Sequence, residues 1–301
     1  MSDVEKTGFR IGVDLGGTKI EIIGLSDDGQ EKIRYRVPTP SNSYNEIIHT
    51  ICDLVHSVES EVGLMGAVGL AMPGAISSDS GLVKNSNTTC LNGKLFNKDL
   101  EERLGRKIKV ANDANCFTLS EAVDGAAKSS QVVFGVILGT GTGGAVVIDK
   151  KVYEGRNLIA GEWGHNPFPS VLGEEVFPCY CGKQGCVETF LSGPAIEREY
   201  FLRTKEKLSV KEIDLLAQSG NRQAMGLLEC YCDRLARGLS GVINILDPDV
   251  VVLGGGVSNL NSIYEIVPKI WGKYIFSDKV ETRILKAKHG DSSGVRGAAW
   301  L

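Results

Sequence analysis

The sequence predicts an α/β fold of two related lobes, and two observations predict it. Residues 9–25, FRIGVDLGGTKIEIIGL, read as an apolar strand, a glycine turn and a second strand rich in β-branched residues. Residues 132–148, VVFGVILGTGTGGAVVI, repeat that design roughly 120 residues later, the signature of a duplicated unit. Between and after the two hairpins, strands and helices alternate at the spacing of a sheet covered on both faces.

The elements follow in order. A third strand is expected near KIRYRV and a helix over Tyr44 to Val62. GAVGLAMPG is a buried strand stopped by Pro73 and Gly74. A helix near Asp99 to Leu104 and the strand KIKVAND close the first lobe. The second half is richer in helix. Its long amphipathic segment runs from about Asn221 to Leu246 and ends at Asp247-Pro248, because the residue before a proline avoids helical angles. VVVLGGGVSN is a buried strand entering glycine, followed by a helix over Asn261 to Tyr274, the strand ETRILKA and a terminal helix from about Ser293. The lobes are bounded at 1–115 and 116–289 on the repeat alone, with the terminal helix, 290–301, a candidate to complete the first.

At 301 residues the chain is long enough for two apolar cores. A formal net charge of −4 offers no broad footprint for nucleic acid, so no nucleic-acid partner is expected. No stretch approaches the ~20 apolar residues of a membrane span, and the N-terminus is acidic where a signal peptide would be cationic. A cytoplasmic location without membrane association is expected. Disulfides are disfavoured there, so clustered cysteines should bind metal or react. Cys52, Cys90, Cys116, Cys230 and Cys232 are scattered on apolar faces and read as packed thiols.

Cys179, Cys181 and Cys186 are different, because they stand close together in CYCGKQGC. Thiolates joined by a histidine suit tetrahedral zinc, and His165 is the natural fourth ligand. Four protein ligands leave no open position, so the expected zinc is structural. A redox pair would favour the Cys-x-x-Cys spacing. Glu162 and Glu188 flank this loop as candidates for binding substrate hydroxyls.

Three glycine turns follow apolar strands: Gly16 to Gly17, Gly139 to Gly144, and Gly254 to Gly256. Without β-carbons the backbone can bring its N–H groups onto an anion, and together the turns could surround one polyphosphate. One such turn alone could equally be a steric requirement of a hairpin. Lys19 adds positive charge, and Asp14 is placed to hold a metal ion's water shell. The spacing matches neither the P-loop nor the dinucleotide fingerprint.

VANDANC ends a strand at Asn112-Asp113. Asp113 could accept a proton from a substrate hydroxyl while Asn112 orients the sugar, since in phosphoryl transfer the attacking hydroxyl loses its proton late. It could instead cap the helix ANCFTLSEAV.

With GVDLGGTK, AMPG, NDAN, LGTGTGG, GEWGHNPFP, CYCGKQGC, VVLGGG and AKHGDSSGVRGAAW in place, the chain resembles the ROK family along nearly its whole length. These are sugar kinases on the duplicated actin/hexokinase-like ATPase fold, with two lobes and an active-site cleft between them. By pattern the segments look most like bacterial fructokinases that also accept mannose, with N-acetylglucosamine kinases as near relatives. The resemblance implies that Asp113 is the general base and that Asn112, Glu162, His165, Glu188, Asn87 and Gly74 contact the sugar. It implies that His165 uses one nitrogen for zinc and the other for substrate. Asp14, Gly16, Gly17, Thr18 and Lys19 would face ATP phosphates with Mg2+, as would Gly139, Thr140, Gly141, Thr142, Gly143 and Gly144. Gly254, Gly255 and Gly256 would lie near the adenosine. The spacer NPFPSVLGEEVFP varies among relatives, so its contacts are not carried over.

The leading expectation is therefore an ATP-dependent kinase of the 6-hydroxyl of fructose, with mannose or glucose as further acceptors. The alternative is an N-acetylglucosamine or N-acetylmannosamine kinase of the same family. A sugar-sensing regulator is a distant reading, since only eleven residues precede Gly12 and leave no room for a DNA reader. A non-catalytic zinc scaffold would leave Asp113 and the glycine turns unexplained. A homodimer is expected from the family.

Overall fold

The computed structural model describes residues 8–77, 79–171 and 173–301. The first seven residues, read above against a signal peptide, and residue 172 of the spacer lie outside the described residues. The chain forms two compact units. One comprises the chain up to Gly125, Arg156–Leu158 and Asp291–Leu301, and the other Ala126–Gly155 and Ile159–Gly290.

The first unit holds β1 (Phe9–Leu15), β2 (Lys19–Ser26), β3 (Glu31–Pro38), α1 (Tyr44–Val62), β4 (Ala67–Met72), the short pair β5 (Ala75–Ile76) and β6 (Val83–Lys84), α2 (Phe96–Leu104), β7 (Lys109–Asn112) and α3 (Asp113–Val123). Its five-stranded sheet has the order β3-β2-β1-β4-β7, antiparallel across β1–β2–β3 and parallel across β1–β4–β7. The parallel strands therefore end on one edge. α1 spans the predicted residues. Ser43 caps it by accepting from Glu46 N, Gly63 ends it in the left-handed region at φ 74°, and Ile47, Ile48, Ile51, Cys52, Val55 and Val58 form the buried stripe of an amphipathic helix.

The second unit repeats the sheet with β8 (Val132–Leu138), β9 (Thr142–Ile148) and β10 (Lys151–Val152). It continues through α4 (Glu188–Leu191), α5 (Gly193–Thr204), α6 (Val210–Gln218), α7 (Arg222–Leu246), β11 (Val250–Gly254), α8 (Asn261–Ile270) and β12 (Arg283–Lys286). The order β10-β9-β8-β11-β12 places β8 and β11 side by side and parallel. α7 starts at the cap Asn221 and ends at Asp247, whose φ of 47° takes the chain out of the helix before Pro248. The expected helix to Tyr274 stops earlier as an α-helix. α8 ends at Ile270 and a single 3₁₀ turn, Trp271–Lys273, completes the segment.

The final helix, α9 (Ser293–Trp300), belongs to the first unit, where it packs on β1, β4 and α3. The division falls at Gly125 rather than 115, because α3 packs against α9 and cannot be cut from that unit. Three glycines set the contact. A Cβ on Gly12 would lie 2.1 Å from Val295 O, one on Gly69 1.9 Å from Ala298 O, and one on Gly297 1.7 Å from Cys116 O. In each case the obstructing atom is backbone, so no side-chain rotation can relieve the clash. Ser293 Oγ adds a buried hydrogen bond to Glu121 Oε1 at 2.9 Å.

Gly69→Ala should accordingly destabilise the protein by about 3 kcal/mol, the upper range for overpacking, read as a lower urea midpoint. A midpoint within error of wild type would mean that α9 is not seated against β4 in this way.

Candidate active site

In the first unit the sheet's shared edge collects Asp14 at the end of β1, Gly74 just after β4, and Asn112-Asp113 where β7 meets α3. The turn 16–18 between β1 and β2 is tightly tied. Gly16 N donates to Lys19 O at 2.9 Å, Thr39 N to Thr18 O at 3.0 Å, and Thr39 Oγ1 to Gly16 O at 2.7 Å. Gly17 and Thr18 are exposed and Lys19 half-buried, with its ammonium 3.7 Å from Glu21.

The cap of α3 is Asn112, whose Oδ1 accepts from Asn115 N at 2.7 Å. The alternative that Asp113 does the capping is thereby set aside. The cap uses Oδ1 of Asn112 and leaves its amide nitrogen for a ligand. Asp113 Oδ1 accepts from the next backbone N–H, Ala114 N, at 2.9 Å. The residue is exposed, yet its carboxyl group is closely surrounded by protein. That crowding raises its pKa, against two backbone hydrogen bonds that lower it. Asp14 is pushed up to about 6, first by burial, then by the charges of Asp113 and Glu21, with Lys19 opposing. Gly294 in α9 leaves the room for this carboxylate, since a Cβ there would lie 2.7 Å from Asp14 Oδ2.

Gly74 has φ 84° and faces Lys84 O, which a Cβ would approach to 2.5 Å. Its glycine is a requirement of the β5–β6 hairpin. Asn87 is exposed. Its neighbour Thr88, not singled out from the sequence, is only 3% exposed, its Oγ1 has no hydrogen-bond partner, and that oxygen lies 4.0 Å from where a Gly17 Cβ would be. Buried hydroxyls are nearly always paired. This one faces the glycine turn, and no local pattern in KNSNTTC distinguishes it from Thr89.

In the second unit, β8 and β11 bring the turns 139–144 and 254–256 to one edge of one sheet, where α/β proteins gather ligands. Not every glycine there serves an anion. A Cβ on Gly144 would meet Trp163 Cδ1 at 2.7 Å, and one on Gly255 would meet Leu138 O at 2.4 Å. Gly139 and Gly256 face open space. Thr142 is buried with its Oγ1 unpaired, and its N–H donates to Glu188 Oε2 at 3.0 Å.

The same unit gathers His165, Cys179, Cys181 and Cys186, with one ligand atom from each all within 4.8 Å of one another. Cys181 and Cys186 Sγ lie 3.6 Å apart, too long for a disulfide, and His165 Nδ1 lies 3.6 Å from Cys179 Sγ. Tetrahedral zinc with ~2.3 Å bonds to sulfur separates its ligands by roughly 3.7 Å, so the donor set and spacing fit. His165 Nε2 meets Tyr180 Oη at 3.1 Å, so the nitrogen expected to face substrate faces this hydroxyl instead. Glu162 is exposed immediately before the 3₁₀ turn Trp163–His165.

The spacer between His165 and Cys179, whose contacts no sequence pattern supplied, is anchored through Glu174. It accepts from Arg237 Nη2 at 2.7 Å, Arg237 Nη1 at 2.9 Å, Arg234 Nε at 3.2 Å and Val171 N at 3.0 Å. Arg237 also donates to Pro169 O and lies over the Phe168 ring, which stacks on Phe190 at 4.3 Å. The arginine hydrogen bonds hold the Glu174 carboxyl down at about 2.

A model of the ROK family matches residues 10–301. The chain belongs to the ROK family. An N-acetyl-D-glucosamine kinase of Vibrio cholerae is 43% identical over 96% of this chain and 98% of that one, and one of Pectobacterium atrosepticum is 41% identical over 96% and 97%. A ROK hexokinase of Thermus thermophilus superposes with a TM-score of 0.86 at 30% identity, covering 97% of each chain. The hexokinase-like α/β fold is thus shown for this ROK protein. The fructose expectation is overturned, because relatives 41–43% identical over nearly their full length are named for N-acetyl-D-glucosamine. Among the described residues no helix is long and apolar enough to cross a membrane.

The depressed Glu174 pKa makes a signed prediction. Its contribution to stability is fully present above the unfolded value near ~4.5 and is lost as pH falls toward 2, so Glu174→Gln should cost about 2–3 kcal/mol at pH 7 and almost nothing near pH 2. Denaturant unfolding at several pH values checks this, and an equal loss at every pH would contradict the assigned cause.

Proposed function

We propose that the protein is an ATP-dependent N-acetyl-D-glucosamine kinase that transfers the terminal phosphoryl group of ATP to the sugar's 6-hydroxyl. The observation that carries the acceptor is the 41–43% identity, over 96% of the chain, to kinases named for that sugar. The family and the edge-placed Asp113 support the reaction class.

Asp113 accepts the 6-hydroxyl proton as the sugar oxygen bonds to phosphorus and the bond to ADP breaks. Its raised pKa makes it a better acceptor than an ordinary aspartate, though positioning matters more than basicity for a loose transition state. The Asn112 amide nitrogen and Glu162 carboxylate are free to bind sugar hydroxyls. Thr88 is a further donor beside the Gly16–Gly17 turn, since a ligand oxygen there would satisfy its unpaired hydroxyl. In the first unit the backbone N–H groups of the turn 16–18, with Lys19, bind nucleotide phosphates. Asp14 would hold Mg2+, which neutralises charge on those phosphates.

The reading assigns structural zinc to His165, Cys179, Cys181 and Cys186. It supplies no chemistry beyond fixing the loop that carries Glu162 and Glu188. About one zinc per chain should appear by metal analysis, and Cys186→Ser should lose it with a fall in Tm. Zinc-free wild-type protein of undiminished Tm would remove the assignment.

For the reaction, ADP release should be greatest with N-acetyl-D-glucosamine in a panel that includes N-acetyl-D-mannosamine, glucose, mannose and fructose. Asp113→Asn should lower kcat at least roughly 10³-fold while sparing sugar binding. Preference for an unacetylated hexose would overturn the acceptor, and near-normal turnover by Asp113→Asn would overturn the base.

A further inference from the structure

Asn92, an exposed residue at the end of the 3₁₀ turn Thr89–Leu91, gives both ends of its side-chain amide to one other residue. Its Oδ1 accepts from Ser86 N at 2.9 Å, and its Nδ2 donates to Ser86 O at 2.9 Å. The amide thus pairs with the backbone of Ser86 as a neighbouring strand would, and closes residues 87–91 into a loop. It extends a pairing that backbone has begun, because Val83 N donates to Lys94 O at 3.0 Å and Gly93 N to Val83 O at 2.8 Å. Ser86 is buried, so its peptide groups need partners within the protein.

The loop lies in the first unit, at the sheet edge that collects Asp14 and Asp113. Residues 84–86 pack on Gly74, where a Cβ would lie 2.5 Å from Lys84 O and 2.8 Å from Ser86 N. Gly74 follows β4, whose Met72 pairs with Asn112 of β7. Within the loop, Ser86 and Thr88 are buried and Asn87 between them is exposed. Thr88, beside the Gly16–Gly17 turn, has anchors of its own: its N donates to Ser86 Oγ at 3.2 Å, and its O accepts from the N–H of fully buried Leu91 at 3.0 Å. The peptide group that joins Ser86 to Asn87 is held instead by Asn92, through its carbonyl. One exposed side chain therefore fixes the direction in which Asn87 leaves the fold.

We propose that Asn92 is a positioning residue for the acceptor sugar, clamping the backbone of Ser86 so that Asn87 is aimed at the sugar before it binds. This rests on the reading of Asn87 as a sugar contact. Asn92 touches no substrate itself, and because Thr88 is anchored separately, its loss is felt at the sugar and not at the nucleotide.

The test compares wild type, Asn92→Ala, Asn87→Ala and the double variant, with the sugar of highest turnover in the panel above and a non-hydrolysable ATP analogue titrated separately by calorimetry. Asn92→Ala should raise the sugar's Kd roughly fivefold, the scale of one lost hydrogen bond, and change the analogue's by less than about twofold. KM for the sugar should rise in step while kcat stays near wild type, as for loss of uniform binding. Once Asn87 is gone the clamp has nothing left to aim, so the double variant should bind sugar no worse than Asn87→Ala. Asn92→Asp supplies a second variant of native size: it keeps the acceptor for Ser86 N but sets an oxygen against Ser86 O, and should lose at least as much sugar affinity as Asn92→Ala. Normal sugar binding by both Asn92 variants, equal losses for sugar and analogue, or an undiminished penalty for Asn92→Ala in the Asn87→Ala background would each overturn the proposal. Normal sugar binding by Asn87→Ala would overturn the reading of Asn87 and this inference with it, whereas a loss there beside any of the other results overturns the clamp alone.

Discussion

The backbone-to-backbone seat of α9 is the constraint on which the first unit depends. Where Gly12, Gly69 and Gly297 remove three methylenes, a helix lies so close to β1, β4 and α3 that carbonyl oxygens occupy the space of side chains. Such contact is rigid for a plain reason: peptide groups have no rotamers with which to absorb a displacement. The elements so clamped carry the proposed base and the proposed magnesium ligand. Asp14 is the last residue but one of β1, α3 begins with Asp113, and Gly294 of α9 makes the space into which the Asp14 carboxylate fits. The last residues of the chain thus set the geometry of residues near its beginning.

In the second unit the corresponding rigidity comes from side chains. The spacer and cysteine loop are short of regular structure, and their order rests on a salt-bridged Glu174, stacked Phe168 and Phe190, and the gathered thiols. Burying two arginines of α7 is costly unless their charges are met, and Glu174 meets both. Arg234 is also paired with Glu199 of α5, so the network ties loop, α5 and α7 together. The consequence reaches Glu188 and, through one hydrogen bond, the turn between β8 and β9.

What was legible in the sequence follows from range. α1 could be read over Tyr44 to Val62 because its periodic pattern is a local signal, and the end of α7 was legible at Asp247-Pro248 for the same reason. The gathering of His165, Cys179, Cys181 and Cys186 was legible because soft ligands are rare enough for proximity in sequence to carry weight. The roles of individual glycines were not. Gly144 and Gly255 look like Gly139 in a string of letters, yet one makes room for Trp163, one for Leu138 O, and the last for nothing within 4 Å. The same holds for Asp113, read as a possible cap of α3, since only the direction of the side chains shows that Asn112 takes that place. Thr88 was invisible because its unpaired hydroxyl is a fact of burial by distant residues.

The acceptor sugar was misread for a related reason. Every hexose in question presents a primary 6-hydroxyl, and a base, a phosphate turn and a magnesium ligand are concerned with that hydroxyl and the phosphoryl group alone. Fructose and N-acetyl-D-glucosamine differ at other ring atoms, where discrimination depends on which polar groups are left unpaired by the wrong substrate. Residues that meet those atoms need not lie in the motifs that define the chemistry. Motif likeness therefore reports the reaction, while likeness spread over 96% of the chain also samples the walls of the pocket. The two kinds of similarity answer different questions, and only the second bears on which sugar is held.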